Sequence, residues 1–163
     1  MSFHPGSEAF RRRILNRLVF WLWQWKELPL AAGAGLRLRS LDEEGCTVFL
    51  PGGWRTQNPF RSTYFAAQAM AAEMSTGMPA AALVAGAPAS VAMLVTGFRA
   101  VYRKKIVGES YYTFSDLPGM RAAVEKAAAS PEPQVYVARS AAKDRNEDVC
   151  SEFEVTWSFK RRG

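Results

Sequence analysis

The chain has 163 residues, 48% hydrophobic and 22% charged, which excludes a disordered segment and suits one domain with its own core. Lysine and arginine outnumber acids 21 to 15, a net charge of +6. That balance favours anionic partners such as nucleotide phosphates, nucleic acid or an acidic membrane face, or is simply the surface of a basic soluble protein. The two cysteines, Cys46 and Cys150, form no CxxC, and the single histidine, His4, sits at a fraying end. Both facts argue against a zinc site and a Ser-His-Asp triad, leaving acid–base chemistry to carboxylates, tyrosine or lysine.

The first segment, EAFRRRILNRLVFWLWQWKELPLAAGAG, sets basic residues before an apolar stretch and small residues, the order of a secretory signal. Asn16, Arg17, Gln24 and Lys26 interrupt that order, and the uninterrupted stretch Leu18–Trp23 is too short to span a bilayer. The segment reads as one amphipathic helix over residues 1–28, ending near Glu27 ahead of Pro29. It can pack its aromatic bulk on the domain or a neighbouring subunit. The alternative is a membrane-surface role, for which arginines beside tryptophans are suited.

Residues 29–163 form the main domain. Leu36–Leu41 and Cys46–Leu50 alternate about the turn Asp42–Gly45, a β-hairpin closed by Pro51-Gly52-Gly53. A helix follows over Ser62–Gly77, with Ser62 or Thr63 as its N-cap. The Ala-rich stretch with Pro79 and Pro88 reads as a short helix or linker. Val91–Ile106 and Ser110–Ser115 are strand-like, Asp116-Leu117-Pro118-Gly119 is a turn, and Met120–Ser130 is a helix. Val135–Ala141 is a strand, and Lys143–Asp148 is a polar hairpin tip. The last strand has the cleanest period of two, with Phe153, Val155, Trp157 and Phe159 on one face. Strands beside segregated helices make the class α+β, an antiparallel sheet whose buried face packs on the Ala-rich helix.

That helix holds one carboxylate, Glu73, on a stripe with Ser62, Ala66 and Ala69. Burial on this small apolar face would raise its pKa and suit it to general-base or nucleophile work. Equally, the carboxylate could be solvated or paired with a basic residue of a neighbouring strand. The first-turn N–H groups, with Ala66 and Ala67 permitting close approach, could polarise a carbonyl as an oxyanion hole does.

The loop and helix start, NPFRSTYFAAQAMAAE, together with the element order over Pro29–Lys160, resemble the hotdog-fold acyl-CoA thioesterases, in particular a poorly characterised bacterial branch related to the phenylacetyl-CoA thioesterases. Members carry a loop Asn, then a Gly-Ser-x-His-Ala-Gly-Ala type stretch opening a central helix, then an acid on that helix. Here Asn58 stands at the Asn, Ser62 at the Ser, Ala66 at the second Gly, Ala67 at the next small residue and Glu73 at the acid. Two positions depart: Arg61 replaces the first Gly and Tyr64 replaces the His. The resemblance implies a hotdog fold with an extra N-terminal helix and a cytoplasmic homodimer or homotetramer whose site lies between subunits. It further implies hydrolysis of acyl-CoA or a related thioester, with coenzyme A entering as part of the substrate and no cofactor or metal required. Glu73 and Asn58 would then be catalytic, with Ser62, Tyr64, Ala66 and Ala67 against the substrate.

The departures leave open a non-catalytic hotdog protein that binds an acyl or lipid ligand. A basic run, FRAVYRKKIVGES, places Arg99, Arg103, Lys104 and Lys105 around Tyr102. Coenzyme A phosphates could bind there, with adenine stacked on Tyr102. The same residues could instead be lysines guarding a strand edge. Nucleic acid is a weaker reading, because no recognition pattern accompanies them.

Overall fold

In the computed structural model, described over residues 3–163, helices α1 (Pro5–Leu15), α2 (Arg17–Glu27) and α3 (Pro29–Ala34) precede the hairpin β1 (Arg37–Leu41) and β2 (Cys46–Leu50). Then come the long helix α4 (Phe65–Ala85), β3 (Val91–Tyr102), β4 (Ser110–Phe114), α5 (Leu117–Ala129), β5 (Gln134–Asp144) and β6 (Val149–Arg161). The strands form one antiparallel six-stranded sheet in the order β1-β2-β4-β5-β6-β3. It wraps α4, as the α+β hotdog reading expects.

Helix α4 is the centre of the core because its residues are small. Ala71, Ala72, Ala80 and Ala82 are fully buried, so the sheet closes on backbone rather than on bulk. Beyond Met74 it is buried almost all round, and the polar groups there are matched. Ser75 Oγ donates to Ala72 O at 2.8 Å and meets Ser140 Oγ at 2.8 Å. Trp157 Nε1 donates to Thr76 Oγ1 at 3.0 Å. The inward face of β6 (Phe153, Val155, Trp157, Phe159) is buried as its period of two requires, although Val149 at its start is exposed. Cys46 and Cys150 are buried, free thiols.

Several boundaries differ from the sequence reading. The N-terminal helix is two helices, broken at Asn16, whose Oδ1 accepts from Leu18 N and Val19 N and so caps α2. The central helix does not stop at Gly77. It runs through Pro79 to Ala85, because packing against the sheet outweighs the one N–H that proline cannot supply. Its N-cap is Tyr64 rather than Ser62 or Thr63. Asp116 is not the first residue of a turn but the cap of α5, accepting from Gly119 N, with Pro118 in the helix's first turn. Strand β3 ends at Tyr102, not Ile106.

The N-terminal helices are part of the core. Ile14 and Phe20 are 4% exposed and join the cluster around β1, β2 and one face of α4. Helix α1 meets the end of α4 so closely that a Cβ on Gly86 would sit 2.1 Å from Ser7 Oγ. Arg11 Nη1 donates to Leu41 O at 3.0 Å, tying α1 to the hairpin. Among the described residues no helix is long and apolar enough to cross a membrane.

Candidate active site

The loop between β2 and α4 is organised by Asn58. Its Oδ1 accepts from Phe60 N (3.0 Å), Ser62 N (3.2 Å) and Ser62 Oγ (3.2 Å), folding Pro59–Arg61 into a tight turn. Arg61 at its corner is left-handed, with φ of 57°. That conformation explains a glycine preference here, and the chain holds it with an arginine. Thr63 N donates to Ile106 O at 2.8 Å, which pins the loop to the segment after β3.

This clamp sets the start of α4 against the end of β3. Tyr64 caps the helix without a side-chain hydrogen bond, so the N–H groups of Phe65 and Ala66 at the first turn have no backbone or side-chain acceptor among the described residues. Phe65, though not Ala66, lines a cavity of about 490 Å³. Its lining contains Asn58, Ser62 and Tyr64 from the loop and Tyr102, Arg103, Lys104 and Lys105 from the basic run. Seven of the expected site residues therefore share one depression. Phe60, Phe65 and buried Gln68 also line it, and nothing in their spacing singled them out. Gln68 is held on both sides, donating to Thr63 O at 3.2 Å and accepting from Ser151 Oγ at 2.8 Å.

The basic residues are not all free. Arg103 pairs with Glu152, Lys104 with Asp148 and with Asp144 (3.2 Å), and Arg99 lies 3.7 Å from Glu154 on the strand face outside the cavity. Burial works to raise the Asp144 carboxyl, but the N–H groups of Asn146 and Asp148 and the Lys104 ammonium outweigh it and hold the pKa below the usual value. Lys105 has no acidic partner among the described residues. Tyr102 is 45% exposed, and its ring meets Phe153 edge to face at 5.8 Å.

Ala67 is buried, while Ala66, Ala69, Met70 and Glu73 form a half-buried strip along α4. Glu73 lies eight residues past Phe65, about 12 Å along the helix axis, so it does not line the same cavity within one chain. Its carboxylate stands beside Gly77 and Trp157: a Cβ on Gly77 would come 2.9 Å from Glu73 Oε1 and 3.3 Å from the indole. No side-chain hydrogen bond or ion pair reaches that carboxylate among the described residues. Removal from water pushes its carboxyl above the ordinary carboxylate range. An acid in this state accepts a proton more readily than an ordinary carboxylate, or can attack an electrophilic carbon.

Comparison with solved structures supports the architecture. Protein PA5026 of Pseudomonas aeruginosa is 18% identical with a TM-score of 0.69, over 98% of this chain and 99% of that one. Thioesterase HI1161 of Haemophilus influenzae is 14% identical with a TM-score of 0.61, over 86% and 88%. The PaaI protein of the E. coli phenylacetic acid degradation operon is 10% identical with a TM-score of 0.60, over 97% and 96%. At such identities the likeness speaks for the fold alone. No curated protein matches the chain. Residues 16–159 match the family described as Domain of unknown function (DUF4442), and with the hotdog architecture now in place, the chain belongs to that family.

Proposed function

We propose that the protein is a cytoplasmic hydrolase of acyl-CoA or a related thioester, working as a homodimer or homotetramer. The observation that carries this reading is the lone Glu73 carboxylate, half-buried and without a partner on the central helix of a hotdog fold. Glu73 takes a proton from water as the water oxygen attacks the thioester carbon. The open N–H groups of the partner subunit's Phe65 and Ala66 receive the oxyanion, since those of the same chain lie about 12 Å along the helix from Glu73. Collapse expels the thiolate, which takes the proton back from Glu73. Direct attack by Glu73, through an anhydride that water then opens, uses the same geometry.

Strand β3 supports an oligomer. It is a sheet edge 12 residues long with Leu94 66% and Phe98 43% exposed, interrupted by Arg99 and by a register shift between Val95 and Gly97 but with no proline or lysine within it. The opposite edge, β1, has only five residues and carries Arg37, Arg39 and a register shift between Leu38 and Ser40. Pairing through β3 would bring a second copy to the Ala66–Glu73 strip, where Asn58 of the partner subunit can orient water or carbonyl.

Turnover of an acyl-CoA panel, followed by release of free thiol, tests the reading. Glu73→Gln and Glu73→Ala should each lose at least a hundredfold in kcat while remaining folded; full activity in either removes the assignment. Tyr64 at the family's histidine position favours the second reading, an acyl-binding protein without turnover. Saturable acyl-CoA binding with no hydrolysis by wild type would select it.

A further inference from the structure

A second cavity, of about 710 Å³, opens between α1, α2 and β1 and shares no lining residue with the first. Its volume is that of a small-molecule site. The floor is apolar, with Ile14, Phe20 and Leu36 all buried. Trp21 and Trp25 stand at the rim, 52% and 49% exposed, with ring centroids 6.4 Å apart. Four exposed arginines are among the residues lining this apolar trough: Arg17, Arg37, Arg39 and Arg55. None of them forms an ion pair among the described residues. Arg37 and Arg39 lie instead over the Phe49 ring, 5.7 and 4.7 Å from its centroid.

Gln24 belongs to the same wall and is 2% exposed. Its Nε2 is the one enclosed side-chain nitrogen or oxygen among the described residues that has no hydrogen-bond partner. Enclosing an amide donor without an acceptor is costly, and native folds rarely leave one so. The lining arginines have no acidic partner among the described residues to balance their charge. A single ligand answers both: an anion for the arginines, an oxygen acceptor for Gln24, and a hydrocarbon chain for the floor.

We propose that this cavity binds one anionic alkyl amphiphile, a fatty carboxylate or the acyl-bearing phosphate of a lipid. Its head accepts from the arginine rim and Gln24 Nε2, and its chain lies along Ile14, Phe20 and Leu36. The site is independent of the hydrolytic reading, since none of its residues takes part in that chemistry.

Trp21 and Trp25 report occupancy. Titration of the full-length protein with 12-bromododecanoate, below the concentration at which it forms micelles, should quench indole fluorescence saturably, and dodecanoate should reverse it. The triple variant Arg37→Gln, Arg39→Gln, Arg55→Gln should bind at least tenfold more weakly. Gln24→Leu should bind about fivefold more weakly, and uncharged 12-bromododecanol tenfold more weakly, whereas Tyr102→Ala in the other cavity should bind as wild type does. Absence of saturable quenching in folded wild type would overturn the proposal. So would unchanged affinity in the triple variant, or loss of binding in Tyr102→Ala. Phosphatidylglycerol vesicles separate the two sources: co-sedimentation lost in the triple variant identifies a membrane lipid, and its absence in wild type that still binds bromododecanoate identifies a free one. Vesicle binding that the triple variant retains, without dodecanoate binding, overturns the site.

Discussion

Glu73 carries a charge that the fold makes costly to keep. Because burial raises its pKa, the folded chain holds the proton to higher pH than the unfolded chain does. Below about pH 4 both are protonated and folding is indifferent to the group. As pH rises, the unfolded chain ionises first, and stability falls until the raised folded pKa is passed. Glu73→Gln should therefore be more stable than wild type at pH 7, by roughly 2–4 °C in Tm for each kcal/mol relieved, and equal to it in acid. The same substitution should abolish turnover, and wild-type kcat should fall on the acid side as the carboxylate is protonated. Scanning calorimetry at the two pH values, beside the kinetics, checks the pairing of gained stability with lost activity. Arg61 offers the opposite case, a residue in a glycine conformation. Arg61→Gly should stabilise the fold by about 0.5–1 kcal/mol in denaturant unfolding, the left-handed strain offset in part by glycine's freedom when unfolded.

Elements repeat the contrast between what local letters dictate and what packing decides. The hairpin and β6 were legible because alternation of apolar and polar residues has no competing interpretation. The second half of α4 was not, since Pro79 is a local stop signal and only the sheet around it makes continuation favourable. Asp116-Leu117-Pro118-Gly119 fits a turn and a helix start equally, and α5 resolves it by packing Leu117 and Met120 inward. For the proposed site, the resemblance singles out Glu73 and Asn58, and charge singles out the basic run. The ion pairs that tie Arg103 and Lys104 were not, because their acids lie some 40 residues or more along the chain. Arg103→Ala with Lys104→Ala should raise KM for acyl-CoA five- to tenfold at constant kcat; an unchanged KM would leave these residues as an edge brace. If β3 pairs two copies as proposed, Leu94→Lys with Phe98→Lys should leave a monomer in sedimentation velocity and remove activity with it.

At the scale of the molecule, α4 threads two hydrophobic clusters. One joins Ala71, Met74, Met78 and Ala82 to α1, α2 and the hairpin; the other joins Ala80 and Leu83 to α5, β3, β5 and β6. Neither can be lost without stripping a face of the same helix, so a single cooperative transition is expected. Phe20→Ala should lower stability by about 3 kcal/mol, the low end for a buried aromatic, because one side of the ring faces the cavity. An unfolding curve that splits in two would contradict the shared helix.

Cys46 and Cys150 lie within the first of those clusters, and burial raises the pKa of both. In native buffer neither sulfur is exposed to an alkylating reagent as a thiolate. Each becomes reactive only when the surrounding packing momentarily opens. The rate of alkylation, read by mass spectrometry against denaturant, thus clocks those excursions from within the protein, with no label to introduce.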